Sequence, residues 1–152
     1  MVTGIGTDGR SMIVSDADAP GGDPMAGLWR TDPAPGPEGY DGEVDLTRLE
    51  PPAGGTSWRV FDLPPDEVVA EYLARQEIPE VEPDGFHRTE TVDYVMVLEG
   101  EVTLELDEGS VDLSTGDCVV QRGTRHAWRN RTGRPVRMAV VMVSTRDGEA
   151  AS

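Results

Sequence analysis

From Phe86 onward, apolar and polar residues alternate with a period of two, in short runs separated by glycine-containing turns. The runs are 92–98, 101–107, 109–113, 117–121, 126–130 and 135–144; Glu99-Gly100, Asp107-Glu-Gly109, Ser114-Thr-Gly-Asp117 and Arg131-Thr-Gly-Arg134 punctuate them. Short strands at such spacing predict an antiparallel sandwich or barrel. Upstream, Trp58-Arg-Val-Phe-Asp-Leu63 alternates loosely and predicts a further strand. Pro64-Pro65-Asp66 then opens a helix over 67–75, with Val68, Val69, Tyr72 and Leu73 on one side. Before Ser57 the pattern breaks down. Residues 19–55 are dense in Pro, Gly, Asp and Glu, and proline lacks a backbone donor while glycine costs entropy to fix, so no continuous sheet is expected there. Two short apolar pieces, 2–5 and 11–14, flank Asp8-Gly9, a hairpin turn signal. Leu28-Trp29-Arg30 is apolar enough to dock. The division is an N-terminal arm over 1–56 with a hairpin, packing on the barrel or on a partner subunit, a barrel over 57–147, and a disordered tail over 148–152. The fold class is all-β, a small antiparallel β-barrel with a Pro/Gly-rich arm and one short helix.

Equal parity along a strand means a shared face. If 86–98 is extended, His87, Thr89, Thr91, Asp93, Val95 and Val97 face one way. A carboxylate between Val92 and Tyr94 in an otherwise apolar strand needs a partner, because burying it alone is very costly. Arg122, Arg125 and a histidine are the candidates. On the later run His126, Trp128 and Asn130 share a face. The chain has only two histidines, and meeting of these two strands would converge both imidazoles, one carboxylate and one indole. Along the last run Val136, Met138, Val140 and Met142 alternate as core, and Cys118, within an apolar strand pattern, is expected as a small buried hydrophobe.

These residues resemble the two motifs of the cupin superfamily. The first motif is matched by His87-Arg-Thr89-Glu-Thr-Val-Asp93 followed by six residues and Gly100, and the second by Gly116-Asp-Cys-Val-Val-Gln-Arg-Gly123 followed by His126 and Asn130. The 15 residues between Gly100 and Gly116 match the short spacer of compact bacterial members. There are departures. Thr89 stands where a second ligand histidine usually stands, Asp93 is one methylene shorter than the usual Glu, the Pro-x-Gly turn becomes Gln121-Arg-Gly123 and is one residue shorter, and the glycine that opens the first motif is absent.

The resemblance implies a jelly-roll barrel and a divalent metal ion (Fe, Mn, Zn or Ni) held by His87, Asp93 and His126, with an open position beside Thr89. It also implies a small-molecule enzyme in which the ion polarises a carbonyl or enolate for lyase, dehydratase, isomerase or cyclase chemistry, as in natural-product tailoring. His87, Asp93 and His126 are its catalytic groups, with Asp93 as base where it is not a ligand. Thr89, Trp128, Arg122 and Arg125 are the expected substrate contacts, the arginines for a carboxylate or phenolate. An Fe(II)-dependent dioxygenase and a metal-free ligand-binding barrel without catalysis are the alternatives.

Composition narrows the partners. The net charge of −16 repels phosphate backbones and anionic lipid surfaces, which argues against nucleic acid and membrane partners. A single cysteine excludes an internal disulfide, and 1–10 has neither the basic nor the apolar stretch of a secretory signal, so a cytoplasmic protein is expected. Small cupins commonly pair, so a homodimer is expected, with 2–5 and 11–14 extending a partner's sheet.

Overall fold

The computed structural model describes residues 2–5, 10–15, 25–31, 48–75, 78 and 80–147. The Asp8-Gly9 turn, most of the Pro/Gly-rich stretch and the 148–152 tail lie outside the described residues. Strands β1 (Val2–Ile5) and β2 (Ser11–Ser15) pair antiparallel as a separate two-stranded sheet. A five-stranded antiparallel sheet follows the order β3 (Met25–Thr31), β4 (Thr56–Leu63), β10 (Val136–Ser144), β5 (Thr91–Glu99), β8 (Cys118–Arg122). Opposite it lies a three-stranded sheet of β7 (Gly109–Ser114), β6 (Glu101–Leu106) and β9 (His126–Arg129). Among the described residues the chain is therefore all-β with one helix, α1 (Asp66–Arg75), and no helix there is long and apolar enough to cross a membrane.

The period-two pattern locates the core. Val95 and Val97 of β5, Val102 of β6, and Val136, Met138, Val140 and Met142 of β10 are buried together, with Phe61, Leu63, Leu113, Val119 and Trp128 packed around them. Turns fall at the expected glycines; Gly116, with φ of +96°, holds a left-handed conformation that costs a residue with a Cβ about 1–2 kcal/mol. The docking tripeptide 28–30 is part of β3, which pairs with β4 through a register shift between Gly27 and Trp29.

Two expectations are corrected. Cys118 is exposed, because in β8 the residue facing inward is Gln121 and Cys118 shares parity with the outward Val120 and Arg122. In α1, Val68 is exposed, whereas Val69, Ala70, Tyr72 and Leu73 line a cavity, so none of the helix's residues is buried. The helix is fastened at its start instead. The Asp66 amide donates to the Asn130 carbonyl at 2.9 Å, and the Asn130 amide donates to Asp66 Oδ1 at 2.6 Å.

Candidate functional site

The inward face of β5 changes character along its length. Val97 packs in the core; Val95, Asp93 and, in the segment before the strand, Thr89 and His87 line a cavity of about 350 Å³. Val140 and Met142 of β10 and Arg59, Phe61 and Leu63 of β4 continue that wall. Val69 and Leu73 of α1, with Ile78, Val81 and Pro83, supply apolar surface on another side. His126 and Trp128 reach the cavity from β9. The lining is thus mainly apolar, with one polar cluster.

Backbone pairing builds that cluster. His87 and His126 exchange both amide–carbonyl hydrogen bonds, each at 2.9 Å. Directly opposed residues of an antiparallel pair carry their side chains within a few ångströms on one face, and here the ring centroids lie 4.3 Å apart at 55°. The Nδ1 of His87 lies 3.2 Å from the Gly85 carbonyl, and that of His126 lies 2.8 Å from the Thr124 carbonyl. A carbonyl only accepts, so each Nδ1 carries a proton and donates it, leaving each Nε2 lone pair bare in the neutral ring. Trp128 meets His126 edge-on at a centroid distance of 6.0 Å.

Electrostatics follow from burial. Desolvation holds His87 below the ordinary imidazole value, and the neighbouring His126 pushes in the same direction against the Gly85 carbonyl and Asp93. Burial likewise lowers His126, opposed by the Thr124 carbonyl. Asp93 moves the other way. Burial raises its carboxyl above the usual range, more than the Thr91 hydroxyl, His87 and Arg59 lower it. Its Oδ1 is buried without a hydrogen-bond partner among the described residues. Thr91 Oγ1 donates to Thr89 Oγ1 at 2.8 Å, so both buried hydroxyls are engaged.

Of the residues singled out in the sequence, His87, Thr89, Asp93, His126 and Trp128 therefore share one cavity. Arg122 and Arg125 do not line it. Arg122 is exposed on the outward face of β8. Arg125 is spent on Glu82, through Nε and Nη2 at 2.7 Å each, and on Asp107 at 2.8 Å, while its guanidinium covers the Phe86 ring at 4.0 Å. It ties the segment leading into His87 to Glu82 and Asp107, outside the cavity lining. The arginines that do reach the cavity are Arg59 and Arg129. Arg129 is held by Glu105 and by the Asp84 carbonyl, at 2.6 Å each. Arg59 was legible by the signal that marked Asp93, a charge at an inward position of an apolar strand.

The metal-ligand set implied by the family motif can be tested against this geometry. Both imidazoles have their Nε2 edges free, as ligation requires. Among the described residues, however, no three His, Cys, Asp or Glu side chains stand together as a group able to hold an ion. Thr89 replaces one ligand, and the shorter Asp93 does not complete a triad with the paired imidazoles. Two nitrogens fall short of the three protein donors of an open catalytic site, so the residues as placed do not fit a three-ligand centre.

The family model described as "Cupin domain" matches residues 74–143, which include both motifs and the whole His87–His126 cluster, and this match supports membership of the cupin superfamily. Among curated proteins, it is 54% identical over 59 residues to "Phomopsin biosynthesis cluster protein D" of Diaporthe leptostromiformis, covering 36% of this chain and 31% of that protein. It is 33% identical over 117 residues to "Cupin-domain-containing oxidoreductase virC" of Hypocrea virens, covering 70% of this chain and 53% of that one. The chain thus spans between about a third and a half of these relatives' length. Among solved structures, an RmlC-like cupin family protein with a double-stranded β-helix fold from Methanocaldococcus jannaschii superposes with a TM-score of 0.43 at 16% identity, over 59% of this chain and 70% of that one.

Proposed function

We propose that this cupin is a tailoring enzyme of small-molecule biosynthesis that moves a proton on a largely apolar substrate carrying a carbonyl or enol, without a metal ion. The observation that carries this reading is the imidazole pair, His87 and His126, with bare Nε2 atoms in a mainly apolar cavity. A neutral imidazole in such a setting is a general base at neutral pH. His87 is the acceptor in this reading: burial and His126 lower its basicity, and the Gly85 carbonyl and Asp93, on the same face of the chain, offset part of that loss. With a β,γ-unsaturated carbonyl, a proton leaves the α-carbon for His87 Nε2, the electron pair spreads through a dienolate, and the proton returns at the γ-carbon, so that the double bond moves into conjugation with the carbonyl. The balance is an isomerisation, with no oxidant consumed. His126 Nε2 accepts a hydrogen bond from a substrate hydroxyl, and Trp128 and the α1 side chains exclude water. The curated names of the relatives, biosynthesis-cluster proteins and cupin-domain oxidoreductases, support a role in tailoring.

The test is deuterium exchange by NMR. Tag-free protein, with and without added Fe(II), Mn(II), Zn(II) or Ni(II), is incubated in D2O with a panel of enolisable aromatic and aliphatic ketones. Exchange next to the carbonyl, without added metal and abolished by His87→Ala, is the expected result. Near-stoichiometric bound metal lost in both His87→Ala and His126→Ala, with exchange only when it is present, would overturn the metal-free part. Saturable binding without exchange would make the barrel a ligand binder instead.

A further inference from the structure

The polar cluster of the cavity is rich in acceptors, and the donors beside them are directed elsewhere. Asp93 is only 5% exposed, lines the cavity, and its Oδ1 is buried without a hydrogen-bond partner among the described residues. Its place in the sheet accounts for this. In register on β10 stands Met142, whose side chain has no donor, and in register on β8 stands Gln121. The Gln121 amide directs Nε2 at Thr124, toward both its carbonyl and its hydroxyl. Thr91, earlier on the same face of β5, lies beside the carboxylate, but its hydroxyl donates to Thr89 Oγ1 at 2.8 Å. Both imidazoles donate from Nδ1 to backbone carbonyls, so each bare Nε2 is a further acceptor. Arg59, also on the cavity wall, acts on Asp93 through its charge and donates from Nη1 to the Arg48 carbonyl at 2.8 Å.

A buried carboxylate oxygen left without a donor is costly, and the cavity it lines is where a donor can come from. We propose that Asp93 Oδ1 is the specificity group of this cavity and accepts a hydrogen bond from a hydroxyl of the substrate, which is therefore a hydroxylated molecule with an apolar body. The inference rests on the reading of the cavity as a substrate site. The apolar body follows from the wall formed by Val69, Leu73, Ile78 and Val81, whose side chains offer no hydrogen bond. An O–H donating to a carboxylate makes a short, strong bond. A site built to accept from an O–H rejects the analogue that lacks it, because its own buried polar atom is then left unpaired. Asp93 thus selects the substrate, while the proton transfer stays with His87.

The experiment compares β-naphthol with its methyl ether, which lacks the O–H, by isothermal titration calorimetry of tag-free protein in EDTA. The wild type should bind the naphthol on the order of tenfold to a hundredfold more tightly than the ether. Asp93→Leu, close to aspartate in shape, should bind the two equally. Asp93→Asn keeps a neutral acceptor and should retain only part of the preference, since the bond to a carboxylate is the stronger. Equal binding of the two probes by the wild type, or binding of neither, would overturn the inference. So would a preference that persists in Asp93→Leu, which would assign it to the imidazoles or to the bulk of the methyl group. A preference seen only without EDTA would make the carboxylate a metal ligand and would equally overturn it. Should Asp93→Leu fail to fold, Asp93→Asn decides, and an undiminished preference there counts against Asp93. The readout is binding alone, so a lost preference leaves proton transfer by His87 standing, and absent deuterium exchange leaves the preference standing.

Discussion

Replacing Asn130 with alanine probes how the barrel is tied together beside its site. Asn130 is fully buried, and its side chain makes four hydrogen bonds. Nδ2 donates to the Leu63 carbonyl at 2.9 Å and to the Arg134 carbonyl at 2.6 Å, and Oδ1 accepts from the Thr132 amide at 3.0 Å and from its hydroxyl at 2.7 Å. The end of β4, the end of β9 and the turn into β10 are thus joined through one side chain. A typical hydrogen bond contributes about 1 kcal/mol net, and a buried acceptor left without a donor costs about 1–3 kcal/mol. Thr132 is exposed, so water replaces its two bonds cheaply, whereas the carbonyl of half-buried Leu63 loses its donor. The expected loss for Asn130→Ala is therefore about 2–4 kcal/mol. Asn130→Asp should cost more, because it sets an oxygen against the Leu63 and Arg134 carbonyls where an amide donated. The α1 anchor uses only the backbone of Asn130 and survives both substitutions, so the imidazole environment should not change. Urea unfolding followed by tryptophan fluorescence measures the loss, with an unchanged m-value expected. A loss below about 0.5 kcal/mol, or an aspartate variant more stable than the alanine one, would refute this account of Asn130.

Three further outcomes are expected. By NMR, both imidazoles should titrate below the ordinary value of 6.5, as burial dictates; because the unfolded chain then binds more protons, stability should fall as pH drops from about 6.5 toward the folded values, and two normally titrating histidines would contradict the buried pair. Asp93 has the opposite sign: its raised folded value favours folding below that value and is lost as pH rises through it, so Asp93→Asn should raise the urea midpoint at pH 7, and a lowered midpoint would show that its charge is well compensated. Gly123 has φ of +58° and a Cβ there would sit 3.2 Å from the Thr89 carbonyl, so Gly123→Ala should cost about 1–3 kcal/mol in thermal unfolding, and a cost near zero would mean that the turn before His126 relaxes freely.

Alternation along single strands was enough to place His87, Thr89, Thr91, Asp93, Val95 and Val97 on one face, and Val136, Met138, Val140 and Met142 in the core, because side-chain direction in a strand depends only on parity. The motif spacing likewise pointed to His126 and Asn130. Parity does not say which strand lies beside which. That His87 pairs with His126 through both backbone hydrogen bonds, that Asp93 stays outside a metal-holding triad with them, and that Arg59 of β4 reaches the same cavity are consequences of register across distant segments. Nor does an arginine's residue type reveal its partner. Arg125 looked available for substrate until the fold brought Glu82 and Asp107 to it. Cys118 looked internal because an apolar strand position carries the same signal whether it faces a core or an apolar outer face. Local alternation thus carried the class of fold and the inward sides of β5 and β10, because side-chain direction within a strand is a local property of the backbone. Only the tertiary structure decided which inward groups meet and which outward apolar residues merge into one surface, since both depend on contacts between residues far apart in the chain.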